Sequence, residues 1–350
     1  MAIEYREWRE GDDLALLEIW GDPETVQAGQ FRGTLAPSSN APWRRCIVAE
    51  DVVDGVAIPV AAGVVHEAAL HPERLWAYIE VARDHRRAGV GSTLLTMLRH
   101  EAEQSPSGVT RLRSKVEPGT SGAAFAEAAG LAPIQRSRLV EVEPATLKLP
   151  VFGDGSEAAA SEQVEDLATG SVELSDVVGR YYTAVHGWDS PGELSIGTVQ
   201  RLFLDDLSGA HGAIVLRAAK ASAFGPGVPA SRKGRLEAFA ISYAQVSPGR
   251  ENAGRENAGR ENAGRENAGR ENATGEKAGQ PSDVFLGHEP KLSADEARAA
   301  VRNLLALIAY QYPVLLEVDD SMAALRAVVE PLLESGKARV RGAETLVVSD

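Results

Sequence analysis

Arginine and glycine residues lie close together in the run from Arg86 to Gly91, in the first third of the chain. Guanidinium groups suit phosphate oxygens. Gly89 and Gly91 have no Cβ, so a phosphate can approach the main chain closely there. The spacing Arg86-x-x-Gly89-x-Gly91 differs from the dinucleotide fingerprint and from the P-loop, which need other glycines or a Lys-Ser/Thr pair. The run therefore predicts an anion site of a different kind.

The elements on either side of this run position it. An apolar, β-prone stretch from Leu75 to Val81 precedes it, and a helical pattern follows it. A strand that enters a helix through such a turn leaves backbone N–H groups free at the helix start, where the helix dipole is positive. The alternative is an ordinary glycine-containing turn with solvated arginines. The predicted helix has one apolar face at a period of 3.6 residues, formed by Val90, Leu94, Leu95, Met97 and Leu98.

The spacing resembles the Arg/Gln-x-x-Gly-x-Gly/Ala pyrophosphate loop of the GNAT N-acetyltransferase superfamily, and the strand and helix around it strengthen the match. The resemblance implies transfer of an acetyl group from acetyl-coenzyme A to a primary amine of a small molecule or peptide. It implies that the N–H of Val81 holds the thioester carbonyl, and that the main chain of Val81 to Arg83 pairs with the pantetheine amide. The residues it assigns to coenzyme A are Val81, Ala82, Arg83, Arg86, Arg87, Ala88, Gly89, Val90, Gly91, Ser92 and Ser121.

Glu80 and Tyr78 are the catalytic candidates. An alkyl amine has a pKa near ~10.4, so a base or a water chain must remove a proton before the amine attacks. Family members often use a glutamate in this neighbourhood, and strand alternation places Glu80 and Tyr78 on the face opposite Val81. That face either lines the substrate cleft or is a solvated face on which Glu80 pairs with an arginine. His66 and Glu67, on the preceding strand, are second choices, although a histidine in an apolar strand is more often a core or edge residue.

The chain departs from the family's pattern at the general acid. The family's tyrosine falls four residues before the glycine that ends the next helix, and counting back from Gly130 gives Ala126, beside Phe125. Ser121 stands where the family often has asparagine, and it either bonds coenzyme A or only caps the helix. The thiolate then leaves unassisted, or Tyr78 or a water protonates it. A protein that binds acyl-coenzyme A without turnover and a non-enzymatic scaffold are the alternatives to an active transferase.

The order of predicted elements over residues 1–145 agrees with the GNAT fold: strand, two helices, three strands, helix, strand, helix, strand. Leu14, Leu16, Leu17 and Ile19 indicate the first helix, which Gly21 ends. The predicted bounds are Ile3–Trp8, Asp12–Trp20, Glu24–Phe31, Arg44–Glu50, Val56–Ala69, Leu75–Val81, the helix after the turn, Val109–Val116, Ser121–Ala129 and Ile134–Val142.

The second half repeats this order without the motif. Residues 146–174 show little periodicity and are predicted to be a linker. Residues 175–350 resemble a degenerate second GNAT-like domain, with a different α/β domain as the alternative. The predicted fold class is α/β (α+β), with two tandem domains that are each a mixed, mostly antiparallel sheet flanked by helices. The predicted elements are helices over Val177–His186 and Ile196–Leu207, strands over His211–Ala219, Arg235–Val246 and Val284–Gly287, a helix from Ser293, a strand over Pro313–Val318, a helix over Met322–Leu333 and a strand over Ala343–Val348.

The corresponding turn of the second domain runs from His288 to Glu296 and has neither a glycine pair nor an arginine. Glu289, Asp295 and Glu296 would surround the helix start, satisfy the helix dipole and repel a pyrophosphate. Ser293 with Glu296 fits a capping box. We therefore expect only the first domain to bind coenzyme A.

A repeat of Arg-Glu-Asn-Ala-Gly runs from Arg250 to Gly269 and continues to Thr274, inside a low-complexity stretch over residues 247–282. It has no large apolar residue and one glycine in every five residues, so it cannot bury a core. We expect a solvated loop inserted at a hairpin, with a binding role as the alternative.

The composition bounds the class of protein. A length of 350 residues favours two domains. The net charge of −14 argues against nucleic-acid binding. No apolar run approaches the ~20 residues that cross a bilayer. The N-terminus has no basic region before an apolar core, and Cys46, the only cysteine, lies in an apolar run. We expect a cytoplasmic protein with a buried thiol and no metal site; the acceptor and the oligomeric state are not indicated.

Overall fold

The structure is a computed structural model that describes residues 2–23, 26–219, 233–244 and 281–350. The pentad repeats lie outside the described residues. The strands are β1 Ala2–Glu7, β2 Ser39–Asn40, β3 Trp43–Val53, β4 Val56–His66, β5 Leu75–Val81, β6 Leu112–Val116, β7 Ala132–Val142, β8 Val164–Leu167, β9 Ala210–Arg217, β10 Leu236–Tyr243, β11 Ser282–His288, β12 Val314–Asp319 and β13 Ala338–Ser349. The helices are α1 Asp12–Trp20, α2 Val26–Arg32, α3 Val90–Ala102, α4 Ser121–Ala128, α5 Glu157–Gln163, α6 Val172–Val185, α7 Ile196–Val199, α8 Ala294–Ile308 and α9 Ala323–Glu334, with 3₁₀ turns at Arg83–His85 and Asp206–Ser208 and a π turn at Gln200–Leu204.

Within the described ranges, the strands join into one mixed sheet with the order β1-β3-β4-β5-β6-β13-β7-β12-β11-β10-β9-β8, and β2 pairs with β3 at its side. The neighbours β5–β6 and β11–β12 are parallel, and the other described pairs are antiparallel. A mostly antiparallel sheet was predicted for each half, whereas the structure joins the two. The cause is β13, which lies between β6 and β7, while β7 pairs with β12.

Alternation along β5 assigns the two faces of the sheet in the first half. Ile79 and Val81 pack with Val90 and Leu94 of α3 in one apolar cluster. The ring of Phe31, in α2, contacts the side chains that point the other way on β5. Helices α2 and α3 therefore cover opposite faces of the same strand.

Two helical patterns read from the sequence, the apolar face of α3 and the capping box of α8, are confirmed. Helix α3 begins at Val90 and buries four of its five predicted apolar residues, with Met97 packed partly buried against them. Helix α8 has the predicted capping box between Ser293 and Glu296. Such amphipathic helices are stabilised mainly by burying one face on the sheet.

The predicted linker contains secondary structure. Both α5 and β8 lie within residues 146–174, and α6 already begins at Val172. Strand β8 is Val-Glu-Asp-Leu at the outer edge of the sheet, so its pattern is short and half acidic. Four such residues show too little alternation of apolar and polar side chains for a strand to be predicted from them. The domain limits at residues 145 and 175 stay a prediction.

Two further predictions concern single elements. Ile196–Leu207 is a run of a short α-helix, a π turn and a 3₁₀ turn rather than one regular helix. Cys46 is buried, and burial raises the pKa of its thiol to about 12. Among the described residues, no helix combines the length and the apolarity that a membrane span requires.

Candidate active site

The turn between β5 and α3 follows the predicted strand and is exposed. We call the N-terminal end of α3, where this turn enters the helix, the mouth of α3. Residues Arg86 to Gly89 are exposed. The first backbone hydrogen bond of the helix runs from the N–H of Thr93 to the carbonyl of Gly89, at 3.0 Å. The N–H groups of the three residues before Thr93 precede any intrahelical partner, and no acceptor for them lies within the described residues. Such donors, together with the positive end of the helix dipole, would suit an anion, and the anion site stays a prediction.

Arginine side chains surround this mouth. The Nε of Arg86 donates to the carbonyl of Val81 at 3.0 Å, which anchors its guanidinium beside the end of β5. Arg83 and Arg87 are exposed, and in the described part of the chain their guanidinium groups have no carboxylate partner. Charge that is not already neutralised is available to a phosphate.

The two glycines have different roles. Gly89 has φ +85° and an added Cβ there would meet nothing within 4 Å, so the left-handed backbone alone favours glycine. An added Cβ at Gly91 would lie 3.6 Å from the ring of Phe125 and from Val81. Gly91 therefore faces the protein interior with room for one methyl group, whereas the sequence had suggested that it gives a phosphate access to the main chain.

One edge of β5 is open near the turn. The parallel ladder between β5 and β6 pairs only Leu75 with Leu112 and Trp76 with Arg113 among the described residues. On the other edge, the N–H of Ala82 donates to β4 at 2.8 Å. Because N–H groups alternate between the two edges, the N–H of Val81 points to the open edge.

The start of α4 excludes one of the two roles expected for Ser121, that of the helix cap. Thr120 is the residue that caps the helix, and its Oγ1 accepts a hydrogen bond from the N–H of Ala123. Ser121 is exposed and does not cap. The ring of Phe125 lies against Gly91, and this side chain has no acidic proton, so α4 supplies no general acid at this point.

Glu80 and Tyr78 lie together on the face of β5 that α2 covers, and the polar groups of both already have hydrogen-bond partners. The Nε and Nη2 of Arg32 donate to the two carboxylate oxygens of Glu80, at 2.8 and 2.6 Å. The hydroxyl of Tyr78 donates to the same carboxylate at 2.5 Å. Burial, together with the charge of Glu80, raises the pKa of Tyr78 far above its usual range, so this phenol is a poor proton donor to a thiolate. Of the two alternatives for Glu80, the structure shows the pairing with an arginine.

Aromatic rings cover this group. Phe31 stacks on Tyr78 with ring centroids 5.1 Å apart, and Arg32 lies 5.1 Å over the ring of Trp20. The exposed fractions of the Arg32 and Glu80 side chains are 14% and 16%. Helices α1 and α2 therefore nearly close this face, and α2 has to shift before a ligand reaches Glu80.

The second-choice bases lie elsewhere. The register of β4 with β5 pairs His66 with Trp76 and Ala61 with Val81, so His66 lies five residues, about 17 Å, from the turn. Burial lowers the pKa of His66 to about 4, so it is neutral at pH 7. Glu67 accepts a hydrogen bond from Ser105, beyond the far end of α3. Both are wrong as bases for chemistry at Val81.

The turn of the second half is filled by its own carboxylates. Glu289 is buried, pairs with Arg180 at 2.5 Å and accepts from the N–H of Lys291. The carboxylate of Glu296 accepts from the N–H of Ser293 at 2.8 Å. These groups use donors that an anion would need and place negative charge where a phosphate would lie.

Comparison with known proteins gives the class of fold. No family model and no curated protein matches the chain. Among solved structures, the chain is similar to a GCN5-related N-acetyltransferase from Sphaerobacter thermophilus, with a TM-score of 0.51 and 12% identity over 99% of this chain and 95% of that one. It is also similar to a tandem GNAT protein from the clavulanic acid biosynthesis pathway, with a TM-score of 0.49 and 14% identity over 100% of this chain and 98% of that one.

The likeness to the Sphaerobacter protein covers both halves of the chain and shows that this chain has the GNAT fold. The fold predicted from the turn and from the element order is confirmed at that level. The roles of individual residues stay predictions.

Proposed function

We propose that the protein transfers an acetyl group from acetyl-coenzyme A to a primary amine of a small molecule or peptide. The observation that carries this proposal is the open mouth of α3, where unpaired N–H groups and arginines surround an exposed turn after a strand. A doubly charged pyrophosphate fits that arrangement. A solved structure of the same fold is named a GCN5-related N-acetyltransferase, which supports acyl transfer as the reaction.

Coenzyme A would lie along the open edge of β5. The main chain of Val81 to Arg83 would pair with the pantetheine amide, as one strand pairs with another. Residues 86–92 would hold the pyrophosphate through their N–H groups and guanidinium groups. Ser121, exposed at the start of α4, would be free to bond the cofactor because Thr120 already caps that helix.

The reaction needs a polarised carbonyl and a neutral amine. The N–H of Val81, on the open edge, would donate to the thioester oxygen and stabilise the negative charge that develops there. The amine nitrogen forms a bond to the carbonyl carbon, the C–S bond breaks, and coenzyme A leaves as a thiolate. Glu80 is the proposed acceptor of the amine's proton, and the ammonium would have to replace Arg32 at the carboxylate first. The thiolate leaves unassisted or takes a proton from water.

We assign coenzyme A to the first half only, residues 1–145. The buried pair of Glu289 and Arg180 and the capping box of Ser293 with Glu296 support this assignment, because they occupy the equivalent turn. Residues 175–350 would then be a degenerate second domain.

A non-catalytic acyl-coenzyme A binding protein is the second candidate. The specific observation in its favour is that the carboxylate of Glu80 accepts three hydrogen bonds from Arg32 and Tyr78, while Phe125 supplies no acid. Release of free thiol from acetyl-coenzyme A with a panel of primary amines separates the two candidates, since only the transferase turns over.

The substitution Gly89→Glu tests the site itself. It places a side chain and a negative charge at the helix mouth, so we expect coenzyme A binding to be lost in a calorimetric titration. Gly108→Glu is the matched control: Gly108 is exposed, has φ +70° with open space around it, and lies beyond the other end of α3. Unchanged affinity in Gly89→Glu, or equal loss in both variants, would remove the assigned site.

A further inference from the structure

A cavity lies against the middle of the sheet, away from the turn that leads into α3. About 60 Å³ of it is open to the centre of a water molecule. Its lining includes Lys115 of β6, Ser137 of β7 and Asp319 of β12, so strands from both halves meet there. Tyr182 of α6 and His186, the residue that follows α6, also line it. Since one water needs about 10–15 Å³ of such volume, the cavity accommodates about four to six non-hydrogen atoms.

The cavity lies on the face of the sheet that is opposite α3. Lys115 lies 5.9 Å over the ring of Trp76, and Trp76 alternates with the β5 residues that pack on α3. The anion site at the mouth of α3 therefore does not use any of this lining.

Carboxylates outnumber cations in the lining. Asp283, Glu317 and Asp319 are accompanied by Lys115 and His186. Asp283 and Asp319 are buried, and Asp319 accepts a hydrogen bond from the hydroxyl of Ser137. Burial raises the pKa of Asp319, whereas the charge of His186, the hydrogen bond from Ser137 and the charge of Lys115 act against the rise. Buried carboxylates are stabilised by added positive charge, so the lining favours a cationic occupant.

Aromatic side chains form the other part of the wall. Tyr182, Phe203, Tyr243 and Phe285 line the cavity together with Trp188. Aromatic faces attract ammonium groups, most strongly where water is excluded. The indole N–H of Trp188 is buried and has no acceptor within the described residues, so it is available to an oxygen atom of a ligand.

We propose that this cavity binds a small organic cation, a primary ammonium that also carries one oxygen atom. This site, built by strands of both halves, is separate from the turn of the first half, and the corresponding turn of the second half has neither a glycine pair nor an arginine. This inference does not rest on acetyl transfer by the first half.

Three small molecules of nearly equal size test the proposal on the full chain: ethanolammonium chloride, ethylene glycol and sodium glycolate. Saturation-transfer NMR and calorimetry suit the expected Kd, between about 0.1 and 10 mM for four non-hydrogen atoms. We expect ethanolammonium to bind saturably, at least about tenfold more tightly than ethylene glycol, with no binding of glycolate. Equal binding of all three, or no saturable binding of ethanolammonium in that range, would overturn the proposal.

Variants locate the site. Asp319→Asn and Asp283→Asn are each expected to weaken ethanolammonium binding about tenfold or more, because each removes a buried charge from the wall. Asp320→Asn is the control, since Asp320 is exposed and pairs with Arg326. If a buried variant does not fold, Glu317→Gln serves, because Glu317 is only partly buried. Unchanged binding in Glu317→Gln and in every folded buried variant contradicts the inference. Coenzyme A affinity, measured on the same samples, should not change and distinguishes this failure from failure of the proposed function.

Discussion

Replacing Asp189 by asparagine should strongly destabilise the folded protein, although the two side chains have nearly the same shape. Its side chain is fully buried and accepts from Arg74 at 2.7 Å and from Arg113. The exposed fractions of the two arginine side chains are 7% and 0%. Asp189 lies just after α6, whereas the arginines lie beside and on strands of the first half. The substitution Asp189→Asn keeps the shape and removes a negative charge that both guanidinium groups share.

The magnitude follows from these contacts. Removing one partner of a buried ion pair costs roughly 3–5 kcal/mol, because the other charge remains buried. Part of this cost is offset here. Arg113 still lies 4.0 Å over the ring of Trp76, and Arg74 still donates to Ser349 and to the carbonyl of Trp188. We expect a loss of about 4 kcal/mol in the free energy of unfolding, and a fall in Tm on the order of 10 °C.

Urea denaturation followed by fluorescence and circular dichroism measures the loss, and coincidence of the two curves establishes that a single free energy applies. Asp176→Asn is the matched control. It makes the same chemical change in a pair between Asp176 and Arg180, whose side chains are 57% and 37% exposed, and should cost under about 1 kcal/mol. If Asp189→Asn costs no more than the control, the reasoning from burial is refuted.

Three further predictions concern the proposed base, a buried histidine and the repeats. Glu80→Gln should lower kcat about 100-fold or more in the thiol-release assay with coenzyme A affinity unchanged, because Glu80 faces away from the anion site; an unchanged kcat excludes it as the base. His66 has a pKa of about 4 in the folded protein, below its unfolded value near 6.5. The unfolded state therefore takes up the proton first, and the free energy of unfolding falls by about 3 kcal/mol between pH 6.5 and pH 4. His66→Gln should therefore lose less Tm than the wild type over that pH range, and parallel curves would contradict this. Deletion of residues 250–274 should leave Tm within a few degrees in calorimetry, and a large fall would show that the repeats pack.

The candidate site shows which features can be predicted from residues that are adjacent in sequence. The bounds of β5 and the start of α3 were predicted from residues adjacent in sequence, since period 2 and period 3.6 are local properties. The capping box at Ser293 is also local. It depends on residues within one turn of the chain, so the sequence was sufficient to predict it.

The occupancy of Glu80 was not predictable in this way. Its partner Arg32 is 48 residues away, and strand alternation gave only the face on which Glu80 lies. The choice between a substrate cleft and a pairing with arginine depended on where α2 packs. Packing of one element on another is decided by the whole apolar surface that it covers.

The sequence alone determined most of the elements of this protein and the strand, turn and helix that carry the proposed anion site, because these follow from side-chain periodicity and backbone conformation. Tertiary structure alone decided that β13 enters between β6 and β7 and makes one sheet of two halves. It also decided that Asp189 pairs with arginines 115 and 76 residues away, and that three carboxylates, a lysine and a histidine line one cavity. The physical reason is that strand pairing and burial join residues distant along the chain, and no local pattern records which distant partner each residue finds.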